Sequence, residues 1–165
     1  MSFEEKIADK VLHAVKNQND LLAWRVAKKV ASAFTGGTAN SHGDHDGTGD
    51  PYTLFTVTGD VAVKAVVGIV NVNVAGAGTL EVGVAGNTAA LIAQVADTTT
   101  LDDGDVLVDG TESVGVEAIA NTGMFVINDG ADIIETLGTA NLTAGQIDWY
   151  CIWAPLEAGA AVQGS

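Results

Sequence analysis

Basic residues are nearly missing from most of this chain. Seven of 165 residues are Lys or Arg against 21 Asp or Glu, for a net charge of −14. Six of the seven (Lys6, Lys10, Lys16, Arg25, Lys28 and Lys29) lie in the first 34 positions beside four acids, Glu4, Glu5, Asp9 and Asp20, so that segment is +2. The other 131 residues carry Lys64 against 17 acids, or −16. A body this acidic repels nucleic acid and acidic membranes, which removes both from the expected partners and favours solubility. Cysteine is scarce too: Cys151 stands alone, so no intrachain disulfide can form and the residue reads as a small buried apolar group. Nowhere do 18 apolar residues run together, and no charged stretch followed by an apolar run opens the chain. The expectation is a soluble protein made without export.

Signatures of turnover are missing as well. There is no Gly-x-Ser-x-Gly, no phosphate loop ending in Gly-Lys-Ser/Thr, no His-Glu-x-x-His and no paired-Cys spacing. From position 46 onward there is no His and one Lys, so proton transfer near pH 7 would rest on carboxylates. Asp102-Asp103-Gly104-Asp105 could be imagined as a paired-acid site, but its composition is that of a solvated turn. Val84-Ala85-Gly86-Asn87-Thr88 resembles a phosphate turn without the Lys that should follow. Neither an enzyme nor a bound cofactor is expected.

What is present is a β pattern. In the run Gln146 to Pro155, Ile147, Trp149, Cys151 and Trp153 fall on one face of an extended chain and Asp148, Tyr150, Ile152 and Ala154 on the other. Each buried Trp hides roughly 150–250 Å², so two of the three Trp on one strand make this the floor of a core otherwise built from Val and Ala. Pro155 cannot donate to a ladder and ends the run. Seven further strands are predicted at 53–58, 61–74, 79–85, 105–108, 113–120, 124–128 and 133–137, separated by Gly, Asn and Asp turns. Ala-rich 88–96, with Leu91, Ile92 and Val95 grouped, is predicted as a helix. The fold class is mainly β: an antiparallel sandwich or jelly-roll-like body over 52–165.

The first 35 residues read differently. Ser2-Phe3-Glu4-Glu5 is a capping box. Phe3, Ile7, Val11 and Val15 recur at four-residue spacing, and after Asn17 to Asp20 the spacing resumes at Leu22, Val26, Val30 and Phe34. This predicts an amphipathic α-helical arm over 1–35, in one or two pieces, each too narrow in its apolar stripe to be stable without packing. His13 falls on its polar side.

Residues 36–51 contain five Gly and form a linker or long loop. Asp44, Asp46, Thr48 and Asp50 alternate there beside His42 and His45, a spacing that could suit Ca²⁺ or Zn²⁺. Twelve positions along, where an EF-hand places its bidentate acid, stands Phe55. The segment is read as a polar loop, with no metal assigned.

The phrases Gly59-Asp60-Val61-Ala62-Val63, Thr79 to Ala93, Ala131-Asp132-Ile133-Ile134, Gly138 to Gly145, and Trp149-Tyr150 with Trp153-Ala154-Pro155-Leu156 resemble small structural proteins of tailed bacteriophage particles, over roughly residues 55–160. That resemblance implies a β-rich body without enzymatic activity, present in many copies on the virion. The basic amino-terminal segment lies outside the matched part.

The expected function is therefore a capsid decoration or cement protein, made in the host cytoplasm and carried on the virion. Its partners would be the major capsid protein or other virion proteins. Further copies of itself are expected as well, as in a trimer, although no residue fixes the number three. The arm would dock through Phe3, Ile7, Val11, Leu22, Trp24, Val26 and Phe34 on apolar grooves, and through Lys6, Lys10, Lys16, Arg25, Lys28 and Lys29 on acidic patches. Two alternatives come from other classes. One is a tail or fibre module stacking a host glycan on Tyr52, Tyr150 or Trp153; the other is a Ca²⁺-dependent module or hydrolase using Asp44, Asp46 and Asp50.

Overall fold

The computed structural model describes residues 23–30, 32–48, 50–109, 112–115 and 124–165. The strands, in chain order, are β1 Arg25–Lys29, β2 Tyr52–Thr58, β3 Val61–Ala75, β4 Thr79–Val84, β5 Asn87–Val95, β6 Asp105–Leu107, β7 Glu112–Val114, β8 Phe125–Ile127, β9 Ile133–Gly138, β10 Ala144–Pro155 and β11 Ala161–Gly164. One 3₁₀ turn, Thr98–Thr100, follows β5. Asp97 caps it, accepting from the hydroxyl and backbone N–H of Thr99, and those two bonds hold its carboxyl below the usual range.

All pairings are antiparallel and fall into two sheets. The larger runs β1-β10-β3-β6-β7, with β8 also on β3; the smaller runs β11-β2-β9-β4-β5. β3 is 15 residues long, which lets one of its edges hold β8 at Val61–Val63 and β6 at Gly68–Ile69.

The inward residues of both sheets form one apolar cluster. Ile147, Trp149, Cys151 and Trp153 of β10 meet Val61, Val63, Val66 and Val70 of β3 and, from the smaller sheet, Phe55, Leu80, Val82, Ile92 and Ile133. This is the β10 face that alternation predicts. Each Val or Ile fully withdrawn from water contributes roughly 1.5–3 kcal/mol, so many small contributors sum around two large indoles. Gly68 stands opposite Trp149 in the ladder, and a Cβ there would sit 2.6 Å from Trp149 Cζ3. The absent side chain is what lets the indole lie down on the sheet. Burial pushes the Cys151 thiol up to about 12.

Three sequence expectations are corrected. The helical arm does not extend through its second half: Arg25–Lys29 is β1, paired with β10 from Arg25–Trp153 to Lys29–Trp149. Leu22, Val26, Val30 and Phe34 are four apart, and multiples of four fit a period of two as well as one of 3.6, so the spacing could not choose. The helix at 88–96 is β5, paired with β4 through Val82–Ile92 and Leu80–Val95; β-branched Thr88, Ile92 and Val95 pack in the ladder and tertiary context overrides Ala propensity. Residues 36–51 do not separate an arm from a body, because β1 on one side is part of the larger sheet and β2 on the other part of the smaller. The capping box, His13, the stripe from Phe3 to Val15, and 116–120 of the fifth predicted strand lie outside the described residues.

Candidate functional site

The loop joining β1 to β2 is pinned by backbone hydrogen bonds: Thr35 N–H to His42 O at 2.7 Å, Gly36 N–H to Leu142 O at 2.8 Å and Leu142 N–H to Gly43 O at 2.8 Å. Gly36 and Gly43 are required here, since a Cβ on Gly36 would lie 2.1 Å from Gly43 O and Gly43 has φ +103°. The loop drives Phe34 into the core at 2 % exposure and His42 in beside it. The imidazole stacks on Tyr52 (centroids 4.0 Å, 26°) with Phe34 against it at 4.6 Å.

His42 Nε2 meets Glu135 Oε1 at 2.9 Å. Glu135 is fully buried, on the inward face of β9 between Ile133 and Leu137. His42 Nδ1 and Glu135 Oε2 are both buried without a hydrogen-bond partner. With rings against the imidazole and Nε2 on Glu135, this pair ties the loop to β9.

Asp50 accepts from the Leu137 backbone N–H at 2.9 Å. Burial raises its carboxyl above the usual range; the Leu137 bond opposes the shift and the negative charge of Glu135 adds to it. Asp44 instead accepts from the Asn40 N–H at 2.6 Å, which is the main reason that its carboxyl is lowered. Ligand atoms of Asp44, His45 and Asp46 lie within 4.8 Å of one another, but Asp44 serves Asn40 and His45 Nδ1 bonds Asn141 Oδ1. Asp50 turns away to β9. Asp44 thus serves backbone within the loop and Asp50 serves backbone of β9, and Asp50 is not brought together with Asp44 and Asp46.

The more informative surface is the outer face of the larger sheet. Ladder partners run Val26–Ile152–Ala65 across β1, β10 and β3, then Lys28–Tyr150–Val67, then Asp148–Ile69–Val106 across β10, β3 and β6. At the far end Ala154–Ala62–Val126 crosses β10, β3 and β8. These alternate with the inward set and so point away from the core. Val26 is 65 % and Val126 70 % exposed. Ala62, Ala65 and Ala154 are small enough to be buried between them. The ring of Trp24, just before β1, lies 5.8 Å from Lys64 Nζ of β3.

Charge is sparse on this face. Asp148 binds Lys28 at 2.6 Å. That bond and one to Tyr150 raise the Lys28 ammonium above its ordinary value, and the same ammonium lies over the Tyr150 ring at 5.1 Å.

Of the expected contact residues, Trp24, Val26 and Lys28 share this face. Arg25 packs on the Trp153 ring at 5.3 Å; Lys29 packs on the Tyr52 ring at 5.2 Å and donates to the Ser165 carbonyl. Phe34 is corrected from contact residue to core residue. Phe3, Lys6, Ile7, Lys10, Val11, Lys16 and Leu22 lie outside the described residues. Of the aromatics named for the glycan alternative, Trp153 is 5 % exposed and faces the core, Tyr52 is stacked on His42 with its hydroxyl 2.9 Å from Ser32 Oγ, and Tyr150 is half-buried on the outer face. Ile152, Tyr150, Ala65, Val67 and Val126 were not among the expected contacts. Their signal is that β3 and β10 are apolar on both faces, as strands covered on both sides are.

No protein-family model matches this sequence, and no curated protein or solved structure is similar to it.

Proposed function

We propose that this chain is a non-enzymatic assembly protein that docks through the outer face of its larger sheet, acting as a capsid decoration or cement protein of a tailed-phage virion. The observation that carries the docking role is the apolar face itself. In a chain of net charge −14, Val26, Ile152, Val67 and Val126 share a surface on which Asp148 is already paired with Lys28. Antiparallel sheets usually leave one side wet, and a contiguous apolar patch on that side marks a surface that meets another. The virion setting is supported by the resemblance of the β phrases. On this reading the major capsid protein or neighbouring virion subunits take the apolar face and further copies of the chain complete the lattice. Nucleic acid and membrane are disfavoured by the acidic remainder.

The test is co-sedimentation of the full chain with purified phage particles. Wild type should pellet with the shell, and Val26→Asp with Val126→Asp should lower the bound fraction at least tenfold, roughly 1.4 kcal/mol, with the melting midpoint kept because both side chains are exposed. Equal pelleting of wild type and variant, or no pelleting of wild type, overturns the assignment.

A further inference from the structure

We infer that the chain cuts itself once, at the peptide bond between Asp50 and Pro51, with the Asp50 carboxyl as nucleophile and water as co-reactant. The cut is a single intramolecular event in each copy, not turnover, and is independent of the docking face.

The sequence holds two Pro, and Pro51 is the one that follows an acid; Pro155 follows Ala154. A prolyl nitrogen is tertiary within the peptide and carries no N–H, so it accepts a proton and departs more readily than an ordinary amide nitrogen. The Asp carboxyl, one methylene from its Cα, closes a five-membered ring on the carbonyl carbon to which that nitrogen is bound.

The fold adds position to this chemistry. The Asp50 N–H donates to Gly47 O at 3.2 Å, and its Oδ1 accepts from the Leu137 N–H of β9 at 2.9 Å. On the other side of the bond, Tyr52 stands opposite Glu135 in the β2–β9 ladder. Both flanks of the Asp50–Pro51 bond are therefore fastened to β9, and freedom that a loose chain would lose on attack is already lost. Asp50 is half-buried and Pro51 is exposed, so water reaches the bond. The charged groups around the carboxyl are Glu135 of β9 and, from the loop, His42 and His45. Burial raises the Asp50 carboxyl and Glu135 adds to the rise, against the Leu137 bond and the two imidazoles. The proton that the step needs is thus kept at a pH where a free Asp has lost it.

In the step, Oδ2 of the undissociated carboxyl attacks the Asp50 carbonyl carbon while the carboxyl proton passes to the Pro51 nitrogen. A C–O bond forms, giving a cyclic anhydride; the C–N bond breaks, and Pro51 leaves as a secondary amine. Water then opens the anhydride, which restores the side-chain carboxyl and gives Asp50 a new α-carboxyl. The two pieces stay together, because β1 remains laddered on β10 and the Phe34 N–H donates to Gly145 O at 3.0 Å. The cut therefore shows after denaturation, not as a change in native size.

The full chain is incubated at about pH 5.5 and about pH 8, either side of where a raised Asp gives up its proton, and its mass is read after denaturation. Wild type should give 1–50 and 51–165, with masses that sum to the intact chain plus one water. At pH 5.5 the folded chain should cut at least about tenfold faster than the same chain unfolded in urea, and it should slow at pH 8 as the carboxyl ionises. Asp50→Asn, which keeps an oxygen for Leu137, should stay whole. Pro51→Ala, which keeps the carboxyl and removes the leaving group, should stay whole too. An uncut wild type overturns the inference. An equal rate in urea does so as well, since it would leave a bond that is labile by sequence alone, and so does equal cutting of Asp50→Asn, which would mark a contaminating protease.

Discussion

At the scale of the residue, the tightest constraint is a missing atom. Trp149 occupies the space where Gly68 would carry a Cβ, so Gly68→Ala forces the largest buried side chain off its rotamer or the strand off its register. We expect a loss of about 1–3 kcal/mol, read as a lower urea midpoint at unchanged slope. The His42–Glu135 contact makes a second demand. Removing the ring by His42→Ala leaves a fully buried carboxyl without its partner, a cost of roughly 1–3 kcal/mol. Replacing both members, as in His42→Phe with Glu135→Leu, should return much of that loss, because an apolar pair needs no hydrogen bonds. A double variant as unstable as the single one would show that the pair does more than hold the loop.

Asp50 supplies a sign. Burial raises its folded-state value above the unfolded one, so the carboxylate form is disfavoured by folding. The stability linked to Asp50 is fully present below its unfolded value and is lost as pH rises through the raised folded value. Asp50→Asn keeps an oxygen for the Leu137 N–H and removes the ionisation. It should be more stable than wild type at pH 7, with the advantage vanishing in acid below the ordinary Asp range; paired melts at the two pH values check it. A variant less stable than wild type at pH 7 would mean that the charged form is favoured by its surroundings.

At the scale of the element, the sequence was legible where alternation had one solution. β10 declares itself because Ile147, Trp149, Cys151 and Trp153 can share a face only in an extended chain, and all four are buried. β2, β3, β4, β6, β8 and β9 follow from β-branched runs between turn residues. β1 and β5 were misread for different reasons: a four-residue spacing that suits both periods, and an Ala content whose helix preference loses to ladder pairing. β11 has a single β-branched residue, Val162, and no periodic signal to read.

The candidate face was half legible. Its β1 residues stood in the predicted contact set, but the β3 and β8 side depends on ladder register, which a sequence does not carry. His42 and Glu135 are 93 residues apart, and nothing local marks either as the other's partner. Element-level stability is checked by Ala27→Pro. Loss of one ladder donor and a clash in the middle of β1 should release its hydrogen exchange while β4 and β9 keep theirs.

At the scale of the whole molecule, the uneven charge has two explanations in the fold. The cations of β1 are spent within the chain, Lys28 on Asp148 and Lys29 on the Ser165 carbonyl, so they fasten the edge strand to its neighbours. Several acids accept backbone amides at turns: Asp129 from Gly59 at 2.7 Å, Asp132 from Val57 at 2.9 Å and Asp60 from Asp129 at 3.1 Å. Acidity is thus partly a way of closing connections. What the acids leave uncovered is the outer face of the larger sheet. Density for this chain on a purified particle, at a resolution that separates strands, is the most direct measurement. Docking by that face requires Val26, Ile152 and Val126 to lie against the shell; contact through the smaller sheet, with those three side chains facing solvent, would contradict it.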